Sequence, residues 1–115
     1  MKEVLPLPPE HNGAVWQYRN SGRRFPVHHH AELEINLVLR GTAMYLLNDR
    51  RYEISRHTLI WLFPAQEHVL LEQSPDYEMW IMVWRPILVR RLCATTDTKL
   101  LRQSNPVGDF CIATR

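Results

Sequence analysis

Between Ala14 and Trp84 the chain is cut at nearly regular intervals into short apolar or alternating segments, each closed by a turn signal. That rhythm constrains the fold more than any other feature. Segments of about four to eight residues are short for helices, and turn residues at this spacing mark an all-β sandwich or barrel. The segments are AVWQYR (14–19), EINLVLR (34–40), TAMYLLN (42–48), RYEI (51–54), TLIWLF (58–63), HVLLE (68–72) and EMWIMVWR (78–85). NSGRRFP separates the first two, and Gly41 ends the second. Asn48-Asp49 makes 42–54 a hairpin, Pro64 and Pro86 stop strands, and Ser74-Pro75-Asp76 is a further turn.

After Pro86 the texture changes. PILVRRLCATTDTKLLRQS carries Leu88, Leu92, Leu100 and Leu101 near helical spacing, and Pro86 suits a helix first turn. The cluster Thr95-Thr96-Asp97-Thr98 divides this stretch into two short helical pieces, and NPVGDFCIATR reads as a turn and a final strand. The expected organisation is an N-terminal arm at 1–13, a barrel at 14–86 and a helical tail with a last strand at 87–115. The apolar FCIA run so close to Arg115 suggests truncation before a further domain.

At 115 residues the chain is one domain. Fourteen basic residues against twelve acidic ones leave a net charge of +2, and the pairs Arg23-Arg24, Arg50-Arg51 and Arg90-Arg91 are dispersed. A nucleic-acid surface needs clustering on one face, so these residues alone are not expected to hold DNA. The first thirteen residues are broken by three prolines and lack the apolar core of a leader. No apolar run approaches the length that crosses a bilayer, and the expected location is cytoplasmic. Cys93 and Cys111 share no metal-ligand spacing with the histidines and read as reduced structural thiols. No catalytic residue stands out: the serines lie in turn contexts, neither cysteine has a local base, and four glycines form no phosphate loop.

The chemistry-bearing residues gather in PVHHHAELEINLVLRG, Pro26 to Gly41, and in His68. His28, His30 and Glu34 share strand parity with Asn36 and Val38, whereas His29 has the opposite parity. With His68 they make three imidazoles and a carboxylate. Such a set suits Zn, Fe, Mn or Ni in the divalent state and leaves coordination positions open. Alternation along the strand leaves two arrangements open. Either Ile35, Leu37 and Leu39 fill the core and Glu34 and Asn36 face water, or a covered barrel turns Glu34 and Asn36 into an internal cavity. Trp61, Trp80 and Trp84 are core aromatics on one view and an aromatic wall for a sugar or aromatic effector on the other.

HHHAELEINLVLRG followed by FPAQEH resembles the two motifs of the cupin superfamily, small double-stranded β-helix (jelly-roll) barrels. The first motif, H-x-H-x(3)-E-x(6)-G, is matched by His28, His30, Glu34 and Gly41. The second keeps Pro64 and His68, but Ala65 stands for the loop glycine, and His57 for the glycine that opens the preceding strand. The run from His28 to about Leu92, with LNDRRYEI, LIWLFPAQEH and MWIMVWRP, is similar to the N-terminal sensor domain of AraC-type transcription regulators.

That resemblance implies a barrel that binds a small-molecule effector at its mouth, near His28, His30, Glu34 and His68; Asn36, Trp61 and Trp80 are the further candidates for contact with the effector. It implies an arm (residues 1–13) that folds over the pocket, and a homodimer that meets DNA only through a domain outside these 115 residues. The alternative is a stand-alone metal-dependent cupin enzyme, an oxygenase or isomerase, with His28, His30, Glu34 and His68 on the metal. A third reading is a non-enzymatic barrel that serves mainly as a dimer interface.

Overall fold

The computed structural model of the chain describes residues 2, 5, 7–22, 29–106 and 111–113. Among the described residues, eight strands form two antiparallel sheets. In chain order they are β1 (Gly13–Arg19), β2 (Leu33–Arg40), β3 (Thr42–Leu47), β4 (Arg50–Ser55), β5 (Thr58–Leu62), β6 (His68–Gln73), β7 (Glu78–Trp84) and β8 (Cys111–Ala113). A helix α1 (Pro86–Leu92) and a 3-10 helix (Thr96–Arg102) lie between β7 and β8. The larger sheet has the order β1-β7-β2-β5-β8, the smaller β4-β3-β6. The expected all-β jelly roll with a short helical tail is the fold observed.

Turn chemistry explains where the strands stop. Leu47 pairs with Arg50, so the β3–β4 hairpin closes through Asn48 and Asp49, with Asn48 in the left-handed region at φ 53°. Gly41, between β2 and β3, has φ +81°, and a Cβ there would lie 2.7 Å from Asp76 Oδ1 and 2.9 Å from Tyr77 Cα. Only glycine fits both demands. Of the two lost motif glycines, one position keeps the backbone that glycine would adopt: His57 has φ 72°, held by its N–H donating to Val38 O. The other does not. Ala65 is outside the left-handed region, so its loop needs no glycine.

The open question of which face of β2 is internal is settled by burial and register. Glu34, Asn36 and Val38 point between the sheets, opposite Leu62 and Ile60 of β5 and Val83 and Ile81 of β7. Tyr45, Leu47 and Ile54 close the space from the smaller sheet. Ile35, Leu37 and Leu39 have the outward parity, yet Ile35 is buried and the other two are half-buried. At one end of this outer face, Val89 of α1 and Leu101 of the 3-10 helix join a second apolar cluster with Leu33, Phe63, Trp61 and Trp84. A sheet covered on both sides need not turn its polar side chains to water, which is why alternation alone could not orient it.

The tail returns to the barrel. β8 pairs with β5, placing Ala113 beside Thr58, and Ser104 O accepts the Ala65 N–H at 2.8 Å. The described residues before β1 are also tied down: Leu5 and Leu7 pack on the main core, and Lys2 makes a parallel bridge with His29. Arg85, the residue before α1, donates its guanidinium to Leu7 O (2.9 Å) and Pro9 O (3.4 Å), and its N–H to Asn12 O.

Candidate functional site

β2 delivers two polar side chains into an otherwise apolar interior. Glu34 is 7 % exposed and Asn36 fully buried. Burial of such groups is costly unless each is satisfied, and here each is. Glu34 Oε1 meets His30 Nε2 at 2.8 Å, while Oε2 accepts from Asn36 Nδ2 at 2.8 Å. Asn36 Oδ1 in turn accepts from the Tyr45 hydroxyl at 2.7 Å. Tyr45 lies on β3, so the chain of bonds crosses from one sheet to the other.

His68 reaches the same point from the first position of β6, with Nε2 3.9 Å from Glu34 Oε1 and its ring edge-on to His30 at 5.3 Å. Its loop is built to aim it. Gln66 accepts the Phe63 N–H through Oε1 and returns its own N–H to Phe63 O, and Glu67 and Asn48 exchange two further bonds. Gln66 O then receives His68 Nδ1 at 3.2 Å, and Glu32 O receives His30 Nδ1 at 3.0 Å. A carbonyl only accepts, so both Nδ1 atoms carry the proton and both Nε2 atoms face the carboxylate.

The electrostatics follow from this geometry. Burial alone would lower the His30 pKa, but the Glu34 hydrogen bond and the charges of Glu34 and Glu32 raise it above its ordinary value. Burial alone would raise the Glu34 pKa, yet the His30 bond, the His68 and His30 charges and the Asn36 bond hold it below the usual carboxylate range. Burial, then the Glu34 charge, pushes the Tyr45 hydroxyl well above its ordinary value, so it remains a neutral donor.

Three of the four residues expected to ligate a metal are therefore together. One donor atom each from His30, Glu34 and His68 lies within 4.8 Å of the others. The fourth, His28, lies outside the described residues. The donors fit a divalent ion: two Nε2 atoms orientated by backbone carbonyls and one carboxylate oxygen suit Zn, Fe, Mn or Ni. Such an ion would supply Lewis acidity and coordination positions for a ligand. Asn36 is placed on the carboxylate.

The two tryptophans are separated from this group. Trp61 pairs with Ile35 and Trp80 with Leu37, so both project from the outer face of the larger sheet, opposite to Glu34. Trp61 packs under the tail helices, and Trp80 is 39 % exposed. The expectation that they share a pocket with the histidines is corrected by strand parity, which places them with the outward set. Conversely, Tyr45 and Gln66 were not singled out from the sequence. Tyr45 has the parity of Ala43 and Leu47 in TAMYLL, and that parity was the available signal. An open groove of about 590 Å³, lined by Thr42, Met44, Glu53, Ser55 and Glu72 among others, shares no residue with the polar group.

A family model described as the AraC-like ligand binding domain matches residues 13–101. The chain belongs to that family. Among solved structures, this AraC-like ligand binding domain is similar to a Cupin 2 conserved barrel domain protein from Salinispora arenicola, at 21% identity and a TM-score of 0.55. The match covers 79% of each chain. It is also similar to an oxalate decarboxylase variant from Bacillus subtilis, at 12% identity and a TM-score of 0.50, over 92% of this chain and 34% of that one. At these identities the likeness shows the barrel fold alone. No curated protein matched the chain. Among the described residues, no helix is long and apolar enough to cross a membrane.

Proposed function

We propose that the barrel senses a small-molecule effector, bound at the end where His30, Glu34 and His68 converge, for a transcription regulator of AraC type. The observation that carries this reading is a buried, hydrogen-bonded polar group inside an apolar barrel of the AraC-like ligand binding family. A few fixed polar atoms within apolar walls orient a small ligand. The motif resemblance assigns His28 to the same ligand-binding set.

The arm gives binding a consequence. Leu5 and Leu7 lie on the core, and Arg85 holds the arm at the junction of β7 and α1. An effector that favours one position of the arm would bias α1, and through it a DNA-binding domain carried outside these residues. The active species on this reading is a homodimer that contacts DNA only through that domain.

The test is a thermal-shift screen of wild-type protein against monosaccharides and small aromatic acids, repeated with His30→Ala and Glu34→Gln. A ligand that raises the melting temperature of the wild type and of neither variant supports the assignment. A ligand that stabilises all three equally binds elsewhere and refutes it. The His30–Glu34–His68 convergence favours one second reading, a stand-alone metal-dependent oxygenase or isomerase. Elemental analysis of tag-free protein addresses it: a stoichiometric transition metal favours this reading, and metal-free protein that still binds an effector removes it.

A further inference from the structure

Glu34 has two carboxylate oxygens and they are treated differently. Oε1 faces His30 and His68, whereas Oε2 is taken by the amide of Asn36. Nothing in the side chain of Asn36 dictates which way its amide points, because oxygen and nitrogen are nearly the same size. Glu34 decides it. An ionised carboxylate only accepts, so the Asn36 amide turns Nδ2 toward Oε2. That leaves Oδ1 to accept from the Tyr45 hydroxyl at 2.7 Å, which pins the amide from its other end.

We propose that Tyr45 and Asn36 are positioning residues of the polar group: the Tyr45 hydroxyl fixes the Asn36 amide, which retains Glu34 Oε2, so that the carboxylate meets a divalent cation through Oε1 alone. The inference rests on the reading of His30, Glu34 and His68 as able to hold such a cation. Several features support it. Asn36 is 0 % and Tyr45 4 % exposed, so bulk water does not compete for either bond. The two residues come from opposite sheets, so the contact fixes Glu34 relative to β3 as well as to its own strand. β3 also carries Leu47, the partner of His68 across the β3–β6 ladder. One strand therefore registers both the carboxylate and the second imidazole. Such outer contacts hold a ligand in the orientation a metal needs, and losing one costs affinity without removing a donor.

The experiment measures Co(II) binding to the full 115-residue chain by competition with a chromophoric chelator, together with the visible spectrum of the Co(II) protein. Tyr45→Phe removes only the hydroxyl, and Asn36→Ala removes the link itself. Val38→Ala is the control, since Val38 is the next inward residue of β2, is fully buried and takes no part in the bonds. We expect Tyr45→Phe and Asn36→Ala each to weaken Co(II) binding by about 10- to 100-fold and to alter the spectrum, as the freed carboxylate closes on the ion with both oxygens. Val38→Ala is expected to leave affinity and spectrum unchanged. Wild-type affinity and spectrum in both positioning variants would overturn the inference, as would equal weakening in Val38→Ala. A wild-type chain that binds no Co(II) would instead overturn the cation reading beneath it. Should Tyr45→Phe not fold, the comparison of Asn36→Ala with Val38→Ala decides alone.

Discussion

Replacing Glu34 by glutamine in the metal-free chain should weaken the loss of stability as pH rises. In the wild type, His30 donates Nδ1–H to Glu32 O, and it can donate Nε2–H to Glu34 only as the imidazolium. Its folded pKa lies above the ordinary 6.5 and that of Glu34 below the ordinary 4.5. The His30 contribution is complete below 6.5 and is lost as pH rises through its folded value. The Glu34 contribution is complete above 4.5 and is lost as pH falls through its folded value. The pair is therefore most stabilising between those two ordinary values. Glutamine keeps the shape and can satisfy a neutral site, its amide donating to a deprotonated His30 Nε2 and its oxygen accepting from Asn36. The change exchanges a charge-assisted bond for a neutral one, a cost of about 1–2 kcal/mol inside the window and close to nothing well above it. Without the Glu34 carboxylate, burial of His30 is opposed only by the Glu32 charge and carbonyl, so the imidazolium is less favoured than in the wild type and stability falls less as pH rises. The assay is urea unfolding of both proteins at about pH 5.5 and about pH 8 after chelation, with fitted m-values compared. The difference between the proteins should be largest at the lower pH. An equal difference at both values would refute the ion pair as the source.

Three further outcomes follow from positions described above. Gly41→Ala should cost at least about 1–2 kcal/mol, because the left-handed backbone and the approach of Asp76 and Tyr77 both oppose a methyl group; unchanged stability in chemical denaturation would mean that the turn rearranges freely. Trp61→Ala should destabilise by about 3 kcal/mol and Trp80→Ala, more exposed, by less. Neither should alter Co(II) affinity, and a loss at Trp80 would show that the outer face reaches the site. Arg85→Ala should accelerate amide exchange at Leu7 and His11 while leaving β2 and β5 protected, as read by hydrogen-exchange mass spectrometry.

Strand positions were legible because they depend on local chemistry. Gly41, Asn48, Pro64 and Pro86 each force a break, and the seven expected strands match β1 to β7 to within a residue or two at their ends. The short final strand was legible for the same reason. Orientation was not, because it depends on what covers the sheet: Leu33 and Trp61 lie under α1 and the 3-10 helix, so the apolar face of β2 is the outer one and its polar face looks inward. The polar group was legible in His30, Glu34, Asn36 and His68, where residue type and parity agree. Tyr45 was not, since its partner Asn36 is nine positions away and on the other sheet. The division of labour between the lost glycines was also hidden. Residue type cannot say that His57 accepts the left-handed backbone while Ala65 is spared it.

The order of the larger sheet has a consequence during synthesis. Among the described residues β1 pairs only with β7, and β7 also pairs with β2, so the centre of that sheet waits for Glu78–Trp84 to emerge. From Arg19 to Glu78 the ribosome must add 59 residues (78 − 19), which at typical elongation rates of roughly 5–20 residues per second takes roughly 3–12 seconds. The β3–β4 hairpin can close in that interval, since its strands are joined by two residues. β1, which carries Val15 and Trp16, cannot. For those seconds the nascent chain presents an apolar strand with no ladder to join, and holding it apart from other chains is the task this topology sets for chaperones.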